Sequence, residues 1–236
     1  MKKINNHNIY FSSKSFKYFE DADKNKNNEI WFKKNKENYE LYVKEPMEYL
    51  LAEMNKAFAK DLPRIEISPK KVTKPLRPKN RVATEGGLIK NFSHFTLWEK
   101  RTSLFEWNPG IHFQIGKQKK DNLVGIGLYM ISSRQLSLLR VATVDDFETI
   151  NAILKDKKLK KSWEELKGEK YKRFPKGFSM DDQRTIYLWH KQFYLGKNYT
   201  RQQVVHKDFT KNLIKDLKLA MPFFQWIRSK VGTYKK

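Results

Sequence analysis

The sequence contains no cysteine. Disulfides, thiolate zinc sites and cysteine nucleophiles are therefore excluded together, and the chain is compatible with a reducing compartment. Long apolar runs are missing as well. Nothing approaches the roughly 18 uninterrupted apolar residues that a membrane span requires. The opening MKKINNHNIY carries lysines without the apolar stretch of a secretory leader. The expectation is a cytoplasmic protein with no transmembrane segment. Acidic residues are also scarce: 26 Asp and Glu stand against 49 Lys and Arg, a formal net charge of +23 over 236 residues.

What is present is enough to build a core. The chain is 39% hydrophobic, with 16 Phe, 11 Tyr and 6 Trp, so it can bury a large interior without metals or disulfides. Its length suits one large domain or two small ones. The excess charge disfavours a compact state through self-repulsion. A polyanionic partner would make that charge useful, and nucleic acid is the commonest one. An anionic membrane surface is a second explanation. A genome that simply favours Lys, Asn and Ile codons is a third.

Helical and extended periodicities alternate along the chain. Ser12 or Ser13 can cap a short helix through Phe16 and Phe19. Asn28 can cap a much longer one whose apolar face runs Trp31, Tyr39, Tyr42, Val43, Met47, Leu50, Leu51, Met54 and Phe58. Pro46 predicts a kink there or a new helix from Glu45. Ile65 and Ile67 alternate with polar residues, as in a short strand. Segment 69–92 holds Pro69, Pro75, Pro78, Gly86 and Gly87 and reads as loop. Four candidate strands follow, at 95–100, 103–107, 110–116 and 123–130, and form an antiparallel meander. Further on, Ser132 or Ser133 caps a helix, and Thr143 with Asp146 resembles a capping box for 144–155. Thr200 with Gln203 suggests another, and 209–231 a final amphipathic helix kinked near Pro222. The fold class is α+β: a single domain over 1–236, with residues 1–11 as a flexible tail. In it the meander packs against a long kinked N-terminal helix and the C-terminal helices.

Known catalytic signatures are absent. His7, His94, His112, His190 and His206 are scattered, without an H-x-H or H-x-x-x-H pair, so no metal and no cofactor is expected. Gly125 and Gly127 lack the third glycine of a dinucleotide fingerprint and lie in a strand, where close backbone packing accounts for them. There is neither a P-loop nor a G-x-S-x-G elbow. Asp145-Asp146 and Asp181-Asp182 sit where carboxylates favour helix N-termini.

Several landmarks, in order, carry a family resemblance. Asn28, Trp31, Phe32, Asn35 and Tyr39 are similar to an N-x-x-W-F-x-x-N-x-x-x-Y helix. Pro109-Gly110 with Ile115, and Gly125 to Tyr129, look like its PG-Y-x-x-x-I and GGGLY-like strands. Gly168-Glu169 with Phe174-Pro175-Lys176-Gly177-Phe178 looks like its G-E-x-L-x-x-x-P-K-G-F segment. The chain thus resembles the DUF2461 family of uncharacterised proteins over about residues 12–230. The resemblance implies a fold class and no reaction. The family's central R-D-x-R-F-x-x-D-K-x-P-Y-K stretch is where this chain departs. Residues 75–95 retain Arg77, Arg81 and Lys90 but not the aspartates, so no acid or metal role carries over.

What remains is a basic constellation. Lys70, Lys71, Lys74, Arg77, Lys79 and Arg81 share segment 69–81 with no acidic residue, and a proline-rich loop keeps such charges extended for a phosphate backbone. With Lys90 they form the first candidate polyanion site. Lys172, Arg173 and Lys176, with Lys170 and interleaved by Tyr171, Phe174 and Phe178, form the second. There, phosphate pairing combines with base stacking; alternatively, these are solvated charges around core-anchored rings. Three functions compete: a nucleic-acid or ribonucleoprotein binder, an enzyme for a small anionic substrate using Arg77, Arg81, Lys90, His112 and Arg134, and a subunit of a larger assembly. The sequence does not fix an oligomeric state.

Overall fold

The computed structural model describes residues 9–99 and 106–231. The chain is α+β. Helices α1 (Ser13–Lys24), α2 (Glu29–Lys34), α3 (Lys36–Tyr39) and α4 (Glu45–Phe58) come first. Strands β1 (Phe92–Trp98), β2 (Gly110–Gly116) and β3 (Leu123–Leu128) follow, then helices α5 (Ser133–Asp145), α6 (Phe147–Lys155) and α7 (Lys157–Trp163). Strands β4 (Leu166–Lys167) and β5 (Phe193–Asn198) precede α8 (Arg201–Val205) and the long α9 (Phe209–Val231). The strands hydrogen-bond in the order β1-β2-β3-β5-β4. The expected meander is its first half, and β5 and β4 complete an antiparallel sheet that the sequence did not announce, with Leu166 opposite Leu195 and Lys167 opposite Tyr194. The expected strand at 103–107 lies largely outside the described residues, and its last two residues, Glu106 and Trp107, are not extended into a strand. Among the described residues no helix is long and apolar enough to cross a membrane.

The residues cluster into two compact units, each discontinuous in sequence: 1–97, 112–123 and 198–214 form the first, and 98–111, 124–197 and 215–236 the second. The first unit is organised by period. On its part of β2, Phe113 and Ile115 are buried and alternate with half-buried His112 and Gln114, as a one-sided strand should. Phe113 meets Phe95, Phe11 and Phe209 with ring centroids 5.4, 6.2 and 5.9 Å away. Phe11 therefore belongs to the core rather than to a flexible tail. Each buried ring of this kind contributes about 2–3 kcal/mol of transfer free energy. From the helical side, Phe16, Phe19, Val43, Met47, Leu50 and Met54 are all buried. Ile65 and Ile67 are buried too, but the expected strand is reduced to a single bridge residue at Ile65, too short to build a ladder.

The second unit is held by buried polar ties as well as apolar packing. Trp163 is fully buried and donates its indole N–H to the Asp216 carbonyl at 2.8 Å. Arg228 pairs with Glu99 at 2.5 Å where both are nearly inaccessible. Ser132 caps α5 through a bond from the Gln135 amide, 3.1 Å. The helix then runs past the expected start at Thr143, whose hydroxyl donates back to Leu139 O at 2.6 Å, while α6 begins only at Phe147. The Thr143–Asp146 capping box is thus not formed: a threonine hydroxyl inside a helix has its own i−4 carbonyl within reach. Asp146 instead accepts from Trp226 at 2.9 Å and Lys230 at 2.8 Å. α9 carries Pro222 inside it without being divided; Pro222 is exposed, so the carbonyl it leaves without a donor can take water.

Candidate functional site

The site begins with three local events between residues 28 and 46. Asn28 caps α2, accepting the Trp31 amide at 2.9 Å, as its position before an amphipathic run predicts. Asn35 then ends α2 in a non-helical conformation (φ −106°, ψ 12°) and starts α3. Its side chain donates to Trp31 O at 2.9 Å, beside its own backbone N–H at 3.0 Å, so one carbonyl holds both donors of the capping residue. Finally Pro46 has no N–H to offer Tyr42, and one wide π turn, Glu40–Lys44, absorbs the defect, with the Glu45 amide reaching back to Glu40 O. The single long helix expected from Asn28 is therefore broken at Asn35 and rewound before Pro46.

These breaks turn Tyr39 inward. It is buried, with its ring 5.6 Å from Tyr18, which in turn lies 5.7 Å from Trp31. The Tyr39 hydroxyl donates to Thr73 O over a long 3.4 Å. Burial first, and the neighbouring Glu40 next, push its pKa up, so it stays a neutral donor. The Tyr18 hydroxyl is also buried and has no hydrogen-bond partner; its pKa is raised by the same desolvation.

Where this helical stretch meets residues 69–76, a cleft of about 370 Å³ opens. Phe32, Lys36, Tyr39, Glu40 and Lys44 line it from the helical side. From the loop come Pro69, Val72, Thr73, Lys74, Pro75 and Leu76. Its walls are therefore mainly apolar and its charges mainly positive. Glu40 is engaged by Lys44 at 2.5 Å, an ion pair that also holds the lysine pKa above its ordinary value. Lys36 and Lys74 have no carboxylate partner among the described residues.

The loop that carries most predicted cations is not an extended arm. Thr73 N donates to His94 O at 2.9 Å, Lys90 N to Pro75 O at 2.9 Å, and Leu76 pairs with Ile89. Ile89 N is anchored to Lys26 O at 2.8 Å and Leu88 N to Asn27 Oδ1 at 3.1 Å. Within this fold the predicted residues separate. Arg77 is buried, donating through one terminal nitrogen to Gly87 O at 2.9 Å and Ile89 O at 3.2 Å. Glu85 stands 3.6 Å from Arg77 and 3.7 Å from Arg81, and Lys71 pairs with Glu66 at 3.1 Å. Segment 69–81 is acid-free in sequence, but the fold supplies acids from its flanks. Lys90 is half-buried, its pKa lowered by desolvation and then by Arg77. Lys70, Lys74 and Lys79 are exposed and carry no ion pair among the described residues.

In the second unit Lys172, Arg173 and Lys176 are exposed, also without ion pairs among the described residues. Their aromatic neighbours are tied down: Phe174 packs on Trp189 at 5.1 Å, and Tyr171 lies under Arg140 at 4.9 Å and Lys191 at 5.6 Å. Phe174 is thus anchored by packing rather than presented to a ligand. The remaining candidates of the small-substrate reading are committed elsewhere. Arg134 is bidentate on Glu106, at 2.8 and 2.9 Å, and the His112 Nδ1 lies 2.8 Å from Thr96 Oγ1. No group of three metal-ligating side chains occurs among the described residues.

Sequence reasoning missed Phe32, Lys36, Glu40 and Lys44 as a unit. A signal existed: these four recur every four residues, which on a helix is one stripe. Compared with known proteins, the chain matches the family model described as conserved hypothetical protein (DUF2461) over residues 14–226. No curated protein and no solved structure matches. The chain belongs to the DUF2461 family, as its ordered motifs suggested, and the motif residues Phe32 and Tyr39 are the aromatic lining of the cleft.

Proposed function

We propose that this DUF2461 protein binds a polyanion, the sugar–phosphate backbone of a single-stranded nucleic acid, across the cationic surface bordering the cleft. The observation that carries the reading is the pair Lys36 and Lys74, contributed by two different elements to one cleft and both free of carboxylate partners among the described residues. Exposed Lys33 and Lys34 extend this surface along α2, and Lys70 and Lys79 extend it along the loop. Lysines left unpaired on a protein of net charge +23 can neutralise phosphates and so release the counterions condensed on the nucleic acid. Lys71, Arg77 and Arg81 contribute less than the sequence implies, because Glu66 and Glu85 already engage them. Lys172, Arg173 and Lys176 form a second, smaller cationic surface.

Fluorescence anisotropy with a labelled mixed-sequence single-stranded RNA tests the proposal. Affinity is expected at 50 mM NaCl and should fall steeply by 200 mM. The triple variant K70E/K74E/K79E should reduce the logarithmic salt slope by about 0.7 for each phosphate that is no longer neutralised. No binding at 50 mM NaCl, or a slope unchanged in the triple variant, would reject this surface and leave the charge as a matter of genome composition.

A further inference from the structure

We infer that the cleft seats one unstacked nucleobase of the bound strand, while Lys36 and Lys74 take phosphates adjoining that nucleotide. This inference rests on the polyanion reading and specifies which part of the strand enters the protein. Four observations converge on it. First, the cleft's volume, about 370 Å³, falls in the range of sites that enclose small organic groups. Second, its lining pairs a half-exposed aromatic ring, Phe32, with Pro69, Val72, Pro75 and Leu76. That surface suits a flat, weakly polar ring rather than a phosphate, and base-on-aromatic stacking tolerates any base.

Third, the lining includes Tyr39 and Thr73. The Tyr39 hydroxyl and the Thr73 carbonyl share a long 3.4 Å bond, a weak link that a donor or acceptor on a base edge can replace. Fourth, charge is arranged in the order the ligand requires. Lys36 and Lys74 are exposed at the cleft while Tyr39 is buried, and the sole carboxylate of the lining, Glu40, is neutralised by Lys44 at 2.5 Å. Preorganisation supports the same conclusion. One wall is set by the Asn35 break and the Pro46-imposed π turn, the other by prolines and by the Thr73–His94 bond of 2.9 Å, so binding has little backbone left to order. A base paired in a duplex is stacked and cannot enter; a single strand can supply one.

The test compares three ligands of equal length in the same salt: a mixed single-stranded RNA, a base-free ribose–phosphate oligomer, and a fully paired duplex. The wild-type protein should bind the single strand about 5- to 100-fold more tightly than the base-free oligomer. Phe32→Ala should erase that difference while leaving affinity for the base-free oligomer and the salt slope unchanged. Phe32→Trp should keep it, and Phe32→Leu, apolar but not aromatic, should lose it even if the alanine variant fails to fold. Equal affinity for single strand and base-free oligomer overturns the inference and leaves backbone binding intact. Equal weakening of both by the Phe32 variants overturns it as well. Absence of binding to all three rejects the polyanion reading itself.

Discussion

Arg77 offers the sharpest separation between a ligand-binding cation and a structural one. In sequence it belongs with Lys74 and Lys79; in the structure only 8% of it is accessible. Its guanidinium donates to Gly87 O at 2.9 Å and Ile89 O at 3.2 Å, and lies over Phe92 at 5.6 Å. Arg77→Ala removes two charge-assisted bonds and leaves two loop carbonyls without that donor. A hydrogen bond to a charged group is worth about 1.5–3 kcal/mol. Discounting for the sharing of a single nitrogen and for water reaching the loop, a loss of about 3 kcal/mol is expected. For a chain of this size that corresponds to about 6–12 °C in Tm. Arg77→Lys should recover only part of it, since an ammonium cannot reproduce the planar fork. Urea unfolding followed by circular dichroism measures the change directly, with Lys74→Ala as a control expected to move stability by less than about 0.5 kcal/mol. A loss below about 1 kcal/mol for Arg77→Ala would refute the structural assignment and return Arg77 to the ligand-binding group.

Gly127 has φ +132°, and a Cβ there would lie 2.4 Å from the Phe193 carbonyl oxygen. Gly127→Ala therefore combines strain with a backbone clash and should cost about 3 kcal/mol or more; a thermal scan indistinguishable from wild type would contradict this. His94 is pushed down to about 4 by burial, aided by His112 and Lys90, and its Nδ1 is buried without a partner. Between its ordinary 6.5 and about 4, the unfolded chain binds a proton that the folded one refuses. His94 therefore costs no stability above pH 6.5 and a growing amount as pH falls through that window. His94→Gln should flatten the change in urea midpoint between about pH 7.5 and 5, and an unaltered pH dependence would show that other groups govern it.

The parts of this fold legible in the sequence are those set by neighbours in the chain. Asn28, Ser132 and Thr200 act as helix caps because the capping bond needs only residues two or three positions on. Strand β2 matches its predicted span because alternation of Ile111, Phe113 and Ile115 with polar residues is a local pattern. Strand β5 was hidden beside the aromatics of 184–194, and the two-residue β4 is too short to show a period. The candidate site was half legible. Its tyrosine and phenylalanine stood out through the family motif, and its cations through composition. Which cations are free was only partly readable: Arg81 lies four residues before Glu85, a local pairing, but Glu85 reaches Arg77 only after the loop folds back on itself.

The interleaving of the two compact units has a consequence for biosynthesis. The first unit draws on residues up to 214 and the second on residues up to 236. A ribosome that has not yet reached α9 has therefore completed neither. Neither unit can close until α9 is made, so the final packing of both awaits that helix. During that interval the nascent protein combines exposed aromatic surface with a large positive charge, beside the RNA of the machine that made it.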